Sequence, residues 1–178
     1  MNRAVFLDRD GVINRAYVRE GRPYPPSSMA EVEIFSGVPE ALMALRKAGF
    51  LLIIVTNQPD VARGITTREA VEEINKHLYL NLAIDEFCTC FHDTNDGCDC
   101  RKPRPGALLA AAKRHSIILE SSYMVGDRWV DIEAGQRAGC KTIFIDHGYT
   151  ERKPGSFNYR VSSLLEATPI ITEAGCNL

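Results

Sequence analysis

The chain reads as a three-layer α/β domain on a mostly parallel central sheet, and three observations predict it. Short apolar runs alternate with amphipathic stretches along most of the 178 residues, the rhythm of strand and covering helix. One run, Leu51–Val55, is apolar throughout, as a strand buried on both faces must be. Several runs stop abruptly at acidic, amide or basic residues. Open parallel sheets bind their ligands at the carboxyl ends of strands, so such stops gather chemistry at one edge.

Val5–Leu7 is the first strand, ended by Asp8-Arg9-Asp10-Gly11. Residues 15–35 carry Gly21, Pro23, Pro25 and Pro26 without periodicity, and are expected to form an irregular flap or mobile loop. Val38-Pro39-Glu40 opens a helix with Leu42, Leu45 and Ala48 on one face, and Gly49 stops it. After Leu51–Val55, Thr67 is placed to cap a helix running to about Leu80, with Val71, Ile74 and Leu78 inward. Phe87–Phe91 reads as a short strand, and Pro105–His115 as a helix with proline in its first turn. Ser122–Val125 is a strand leading into Gly126-Asp127, and Val130–Ala138 a helix closed by Gly139. Lys141–Ile145 is a further strand. The tail over 151–178 predicts an edge strand near Tyr159–Val161 and a short helix from Ser163. The expectation is one domain over 1–178, its core at about 3–150, without an inserted cap.

Composition narrows the partners. With 21 basic against 23 acidic residues and a net charge of -2, the chain lacks the basic face of a nucleic-acid binder. Its longest apolar stretch, Phe50–Val55, is too short to span a bilayer. The first strand follows the N-terminal residues with no apolar leader region between. A cytoplasmic monomer with neither nucleic acid nor membrane as partner is expected.

The strand ends carry a coherent chemistry. Asp8 and Asp10 lie one residue apart, and two such anions side by side are unstable unless a cation, most simply Mg²⁺, lies between them. Asp8 is placed to attack phosphorus, and Asp10 to protonate the leaving alkoxide and then deprotonate water. Asp127 supplies a further oxygen ligand for Mg²⁺, and Asp131 a supporting carboxylate, either for the metal site or for Lys102. The Thr56 hydroxyl and the Asn57-Gln58 region can hydrogen-bond phosphoryl oxygens, and Lys102 can neutralise their charge. Arg63, in Ala62-Arg63-Gly64, either positions its loop or meets a distal phosphate.

Cysteines stand at 88, 90, 98, 100, 140 and 176, and the first four crowd together around His92. That spacing suits a metal rather than a disulfide framework. Cys90, His92, Cys98 and Cys100 make a closed tetrahedral set for structural Zn²⁺, which would pin the loop carrying Arg101 and Lys102. Cys88 is a spare thiol able to substitute for Cys90; Cys140 is expected to be buried and Cys176 to lie in the tail.

The ordered motifs resemble the haloacid dehalogenase (HAD) superfamily, with its Rossmann-like core, from Val5 to about Tyr149. Asp8-Arg9-Asp10-Gly11-Val12-Ile13-Asn14, Thr56-Asn57-Gln58, Ala62-Arg63-Gly64, Cys98-Asp99-Cys100-Arg101-Lys102-Pro103 and Tyr123-Met124-Val125-Gly126-Asp127 narrow it to the capless histidinol-phosphate and heptose-bisphosphate phosphatases. The resemblance implies an aspartyl-phosphate on Asp8, Mg²⁺ on Asp8, Asp127 and the Asp10 main-chain carbonyl, and substrate recognition by Arg101. It favours Cys90 over Cys88 as zinc ligand. The implied substrate is a small phosphorylated sugar, a heptose bisphosphate, with histidinol phosphate as the alternative and a zinc-stabilised phosphate-binding module as the non-enzymatic one. The group's heptose branch usually carries Asp-His-Gly-Tyr soon after the first motif, where this chain has Arg15-Ala16-Tyr17-Val18. Asp146-His147-Gly148-Tyr149 spells the same letters after a different strand and reads as coincidence; His77, His115 and His147 are expected to be ordinary surface groups.

Overall fold

Arg3–Leu7 (β1) lies at the centre of the sheet because its side chains are apolar on both faces: Ala4, Val5, Phe6 and Leu7 are all fully buried. The computed structural model describes residues 1–174, so Cys176 lies outside the described residues. The remaining elements are Tyr17–Arg19 (β2), Arg22–Tyr24 (β3), Val38–Lys47 (α1), Phe50–Asn57 (β4), Arg68–Asn81 (α2), Glu86–Cys90 (β5), Gly106–His115 (α3), Tyr123–Gly126 (β6), Trp129–Ala138 (α4), Lys141–Ile145 (β7), Tyr159–Val161 (β8) and Leu164–Ala174 (α5). Strand order is β5-β4-β1-β6-β7-β8 and every neighbouring pair is parallel.

Alternation along β1 divides the core into two layers. Val5 and Leu7 join Leu52, Ile54, Leu42, Leu45, Ile74, Leu78 and Ile171, so α1, α2 and α5 cover one face. Ala4 and Phe6 join Ile53, Val55, Leu108, Ala111, Met124 and Ala134, so α3 and α4 cover the other. Each such Leu or Ile contributes about 1.5–3 kcal/mol on burial. Thr67 caps α2 as its spacing predicts, accepting the Ala70 N–H at 3.2 Å.

The chain builds outward from β1 to β4 and β5, then crosses back to β6. The order therefore reverses between β1 and β6, which opens a crevice beyond their carboxyl ends. Leu7 is level with Ile54 on one side and Val125 on the other, so Asp8, Thr56 and Asp127 leave the sheet at one edge.

The segment at 15–35 is more regular than its composition predicts. β2 and β3 pair antiparallel around Glu20-Gly21, both with positive φ (49° and 73°), the geometry of a tight two-residue hairpin turn. Strands of three residues, one holding Pro23, are too short to show alternation, which hid them. No helix among the described residues is long and apolar enough to cross a membrane.

Candidate active site

Asp8 is the first residue past β1, and its N–H donates to the Val125 carbonyl at 3.0 Å, which extends the ladder by one step. That bond aims its side chain into the crevice. Lys102 arrives from the loop before α3, fixed at its main chain by Asn57, whose side-chain amide donates to the Lys102 carbonyl (3.0 Å) and whose oxygen accepts the Lys102 N–H (3.1 Å). Lys102 is 2% exposed, and its ammonium spends all three donors: on Asp8 Oδ1 (2.7 Å), Asp131 Oδ1 (2.6 Å) and the Val55 carbonyl (2.6 Å). Asp131, in the first turn of α4, also accepts the Arg128 N–H at 3.0 Å.

The charges do not balance. Ligand oxygens of Asp8, Asp127 and Asp131 lie within 4.8 Å of one another, and one ammonium faces these three buried carboxylates. Burial pushes the Asp8 carboxyl up to about 7 despite the attraction of Lys102, with Asp131 and Asp10 adding repulsion. Asp127 rises well above the usual carboxylate range, by burial first and then by Asp8 and Asp131. Lys102 pays for burial too, but Asp131 and Asp8 outweigh that and raise it. Both Asp127 oxygens are buried and neither receives a well-formed hydrogen bond, the Tyr149 hydroxyl beside them being the one neighbour that eases the charge as a donor. Such carboxylate oxygens in an under-neutralised acidic cluster fit a hard divalent cation. Gly11 makes room for this arrangement: at φ +96° it leaves space where a Cβ would stand 1.9 Å from Asp127 Oδ2.

The Asp10 carboxylate stands outside this cluster but lines the same niche as Asp8. Its oxygens accept from the wholly buried Arg9 (Nε 3.1 Å, Nη2 3.0 Å), from Asn14 Nδ2 (2.9 Å) and from Gln58 Nε2 (2.8 Å). Arg9 is anchored in turn by Asn75 of α2 at 2.8 Å.

Two hollows open above these groups. A niche of about 50 Å³ is lined by Asp8, Asp10, Thr56, Lys102, Arg128 and the hairpin's Tyr24. It adjoins a cavity of about 540 Å³ whose walls include Arg22, Arg63, Arg101, Arg104, Arg128 and Arg137.

Beside the cavity, Cys90, His92, Cys98 and Cys100 converge. The Cys100 sulfur is 3.2 Å from Cys90 and 3.5 Å from Cys98, Cys90 is 3.7 Å from Cys98, and His92 Nδ1 lies 3.6 Å from Cys90 and 3.4 Å from Cys100. Tetrahedral zinc–sulfur bonds of about 2.3 Å require ligand edges of about 3.7 Å, so the set fits a metal ion of that kind. Cys88 is not among them: its sulfur faces Arg114 (3.4 Å) and Glu86 (3.7 Å), so it does not stand in for Cys90.

Over residues 99–167 the chain matches the HAD-hydrolase-like family model. It is 37% identical over 148 residues to the D-glycero-beta-D-manno-heptose-1,7-bisphosphate 7-phosphatase of Helicobacter pylori strain J99, spanning 79% of this chain and 80% of that protein. The chain belongs to this phosphatase family. The relative of the same name in Pasteurella multocida is 34% identical, across 96% of this chain and 97% of its own. In fold, the chain resembles the D,D-heptose 1,7-bisphosphate phosphatase of B. bronchiseptica, solved with magnesium and phosphate, at a TM-score of 0.77, with 24% identity, 97% of this chain and 99% of that one.

Within this phosphatase fold the remaining expected residues take the following places. Gln58, expected to bind substrate, is 1% exposed, donates to Asp10 and to Thr56 Oγ1 (2.9 Å), and lines neither hollow. Asn57 reaches the cavity wall, yet its side-chain amide is committed to Lys102. Arg63 lines the cavity while bonding Asp93 at 2.7 and 2.9 Å, which braces the loop of the Cys/His cluster, one of its two expected roles. His147 is exposed, as expected, yet its Nε2 lies 2.7 Å from the Gly11 carbonyl, and Tyr149, 8% exposed, neighbours Asp127. His147 and Tyr149 thus lie beside the site, although their segment follows a different strand from the one the shared letters would suggest. Arg9, Asn75 and Arg128 were missed altogether. Arg128 could have been found from its place directly after Asp127, but nothing near Asn75 signals its contact with Arg9.

Proposed function

We propose that this chain is a cytoplasmic, Mg²⁺-dependent phosphatase that removes the 7-phosphate of D-glycero-D-manno-heptose 1,7-bisphosphate. The observation that carries the reading is the small acidic niche opening directly into a larger arginine-walled cavity. A bisphosphate needs two anion sites a sugar apart, and the cavity has the volume of a small-ligand site. Histidinol phosphate brings an ammonium group to the far end; there Arg63, Arg128 and Arg137 are paired with Asp93, Glu151 and Glu133, while Arg22, Arg101 and Arg104 add positive charge that disfavours a cation. The names of the relatives agree with the bisphosphate.

Asp8, Asp127 and the Asp10 main-chain carbonyl would hold Mg²⁺, which when bound would offset negative charge on the transferring phosphoryl oxygens. The Asp8 carboxylate attacks phosphorus as the bond to the sugar oxygen breaks, and protonated Asp10 gives its proton to that oxygen. Asp10 then takes a proton from water, whose oxygen bonds to phosphorus as the bond from phosphorus to Asp8 breaks, freeing inorganic phosphate and the Asp8 carboxylate. Lys102 and Thr56 stabilise the phosphoryl oxygens, with Asp131 orienting Lys102. Arg9, Asn14 and Gln58 hold Asp10 in place, and Arg101 with the neighbouring arginines receives the second phosphate.

We assign Zn²⁺ to Cys90, His92, Cys98 and Cys100. Because Arg101 and Lys102 directly follow Cys100, the ion would act on turnover by fixing their loop. Freshly purified protein is expected to hold one zinc per chain by elemental analysis. Cys98→Ser should lose it, and turnover should fall about 10²-fold as the loop shifts. Zinc-free protein of full activity would reject the assignment.

The substrate is tested by a kinetic panel of both heptose bisphosphate anomers and histidinol phosphate. One of the bisphosphates is expected to lead in kcat/KM by about 10²-fold, two charge-assisted contacts' worth. A lead for histidinol phosphate would overturn the reading.

A further inference from the structure

The segment His147–Glu151, directly after β7, supplies no group that lines the catalytic niche, yet it touches the site's separate parts. His147 donates from Nε2 to the Gly11 carbonyl at 2.7 Å, its ring stacked on Phe35 (5.7 Å between centroids) and tilted against Tyr149 (5.5 Å). Gly11 is the residue that packs against Asp127, so a bond to its carbonyl sets the spacing between the first motif and that carboxylate. The largely buried Tyr149 closes the same spot from beside Asp127.

Further along, the Thr150 N–H donates to the Gly21 carbonyl at the hairpin tip (2.9 Å). Gly21, at φ +73°, leaves room for Thr150 Oγ1, which would stand 2.0 Å from a Cβ there. Glu151 then takes Arg128 in a two-pronged grip, from Nε at 2.7 Å and Nη2 at 2.6 Å. Arg128 lines both hollows with its side chain 39% exposed, while Glu151 is 12% exposed, so the two parallel bonds fix the open guanidinium from its buried side.

We propose that His147–Glu151 is a positioning strap: His147 sets the turn facing Asp127, and Glu151 holds Arg128 where the niche meets the cavity. For Arg128 to meet a substrate phosphate rests on the phosphatase reading; the role of His147 toward the cation does not depend on the sugar. A loop that merely packed against the sheet would need neither a ring nitrogen on a motif carbonyl nor a charged grip on an arginine of the cavity wall. Outer groups that orient ligands of a metal site are typically worth 10–100-fold in affinity or activity.

The test uses the full-length protein. Calorimetric titration with Mg²⁺ alone reads the first half: His147→Ala should weaken Mg²⁺ binding about tenfold, and His147→Gln, which keeps an N–H donor, should recover most of it. Steady-state kinetics on whichever ester of the panel turns over fastest reads the second half. There Glu151→Ala should raise KM about tenfold while kcat falls by less, with Glu151→Gln between it and the parent. Mg²⁺ affinity within twofold of the parent in His147→Ala, or an unchanged KM in Glu151→Ala, overturns the proposal. Should His147→Ala fold poorly, Glu151→Ala decides alone. If heptose bisphosphate is not the substrate, the Mg²⁺ titration still stands.

Discussion

Asp8→Asn is expected to cut phosphate release by about 10⁴-fold or more while the protein still folds. A neutral amide cannot attack phosphorus, and nothing else in the niche replaces it: the Asp10 carboxylate is committed to Arg9, Asn14 and Gln58. Stability should survive, because Lys102 keeps Asp131 and the Val55 carbonyl as partners. Losing one of three crowded carboxylates also relieves repulsion, so the Mg²⁺-free variant should melt within a few degrees of the parent. Single-turnover phosphate release, beside a melting curve, makes the measurement. Turnover retained at a tenth of the parent's rate would reject Asp8 as nucleophile.

Lys102→Met should damage both function and fold. It leaves Asp8, Asp127 and Asp131 facing each other with no buried cation, and breaking a buried ion pair costs about 3–5 kcal/mol. For a chain of this length that is a fall in Tm of roughly 6–20 °C. The loss should shrink on adding Mg²⁺, since a divalent ion replaces part of the missing charge, whereas the parent gains less. Turnover should fall about 10²–10³-fold even where Mg²⁺ restores folding, because the phosphoryl oxygens lose a fixed positive charge. A variant that melts with the parent in the absence of Mg²⁺ would refute the charge count on which the site rests.

How much of this was legible depended on whether the signal was local. β1 with Asp8, the Leu51–Val55 strand and the cap at Thr67 announce themselves through neighbours in sequence, since strand burial and helix capping act over a few residues. The Cys/His spacing is local for the same reason: one ion must gather ligands from one short loop. The hairpin at β2 and β3 was lost because its strands span three residues each and one holds proline. Gln58 was misassigned because an exposed-looking amide after a strand gives no hint that Asp10 and Thr56 will both claim it.

The amino-acid sequence by itself determined the parallel α/β framework, the acids and lysine at its strand ends, and the Cys/His cluster of one loop, because periodicity and motif spacing are properties of short stretches. Only the tertiary structure decided where each polar group points: Asp10 onto Arg9, Lys102 between Asp8 and Asp131, His147 onto Gly11, and Glu151 onto Arg128. Apart from the adjacent Arg9 and Asp10, those partners lie 23 to 136 residues apart in the chain and meet only when it folds. Their pairing follows from burial, which makes an unpaired charge or donor costly and so leaves few arrangements in which all of them are satisfied.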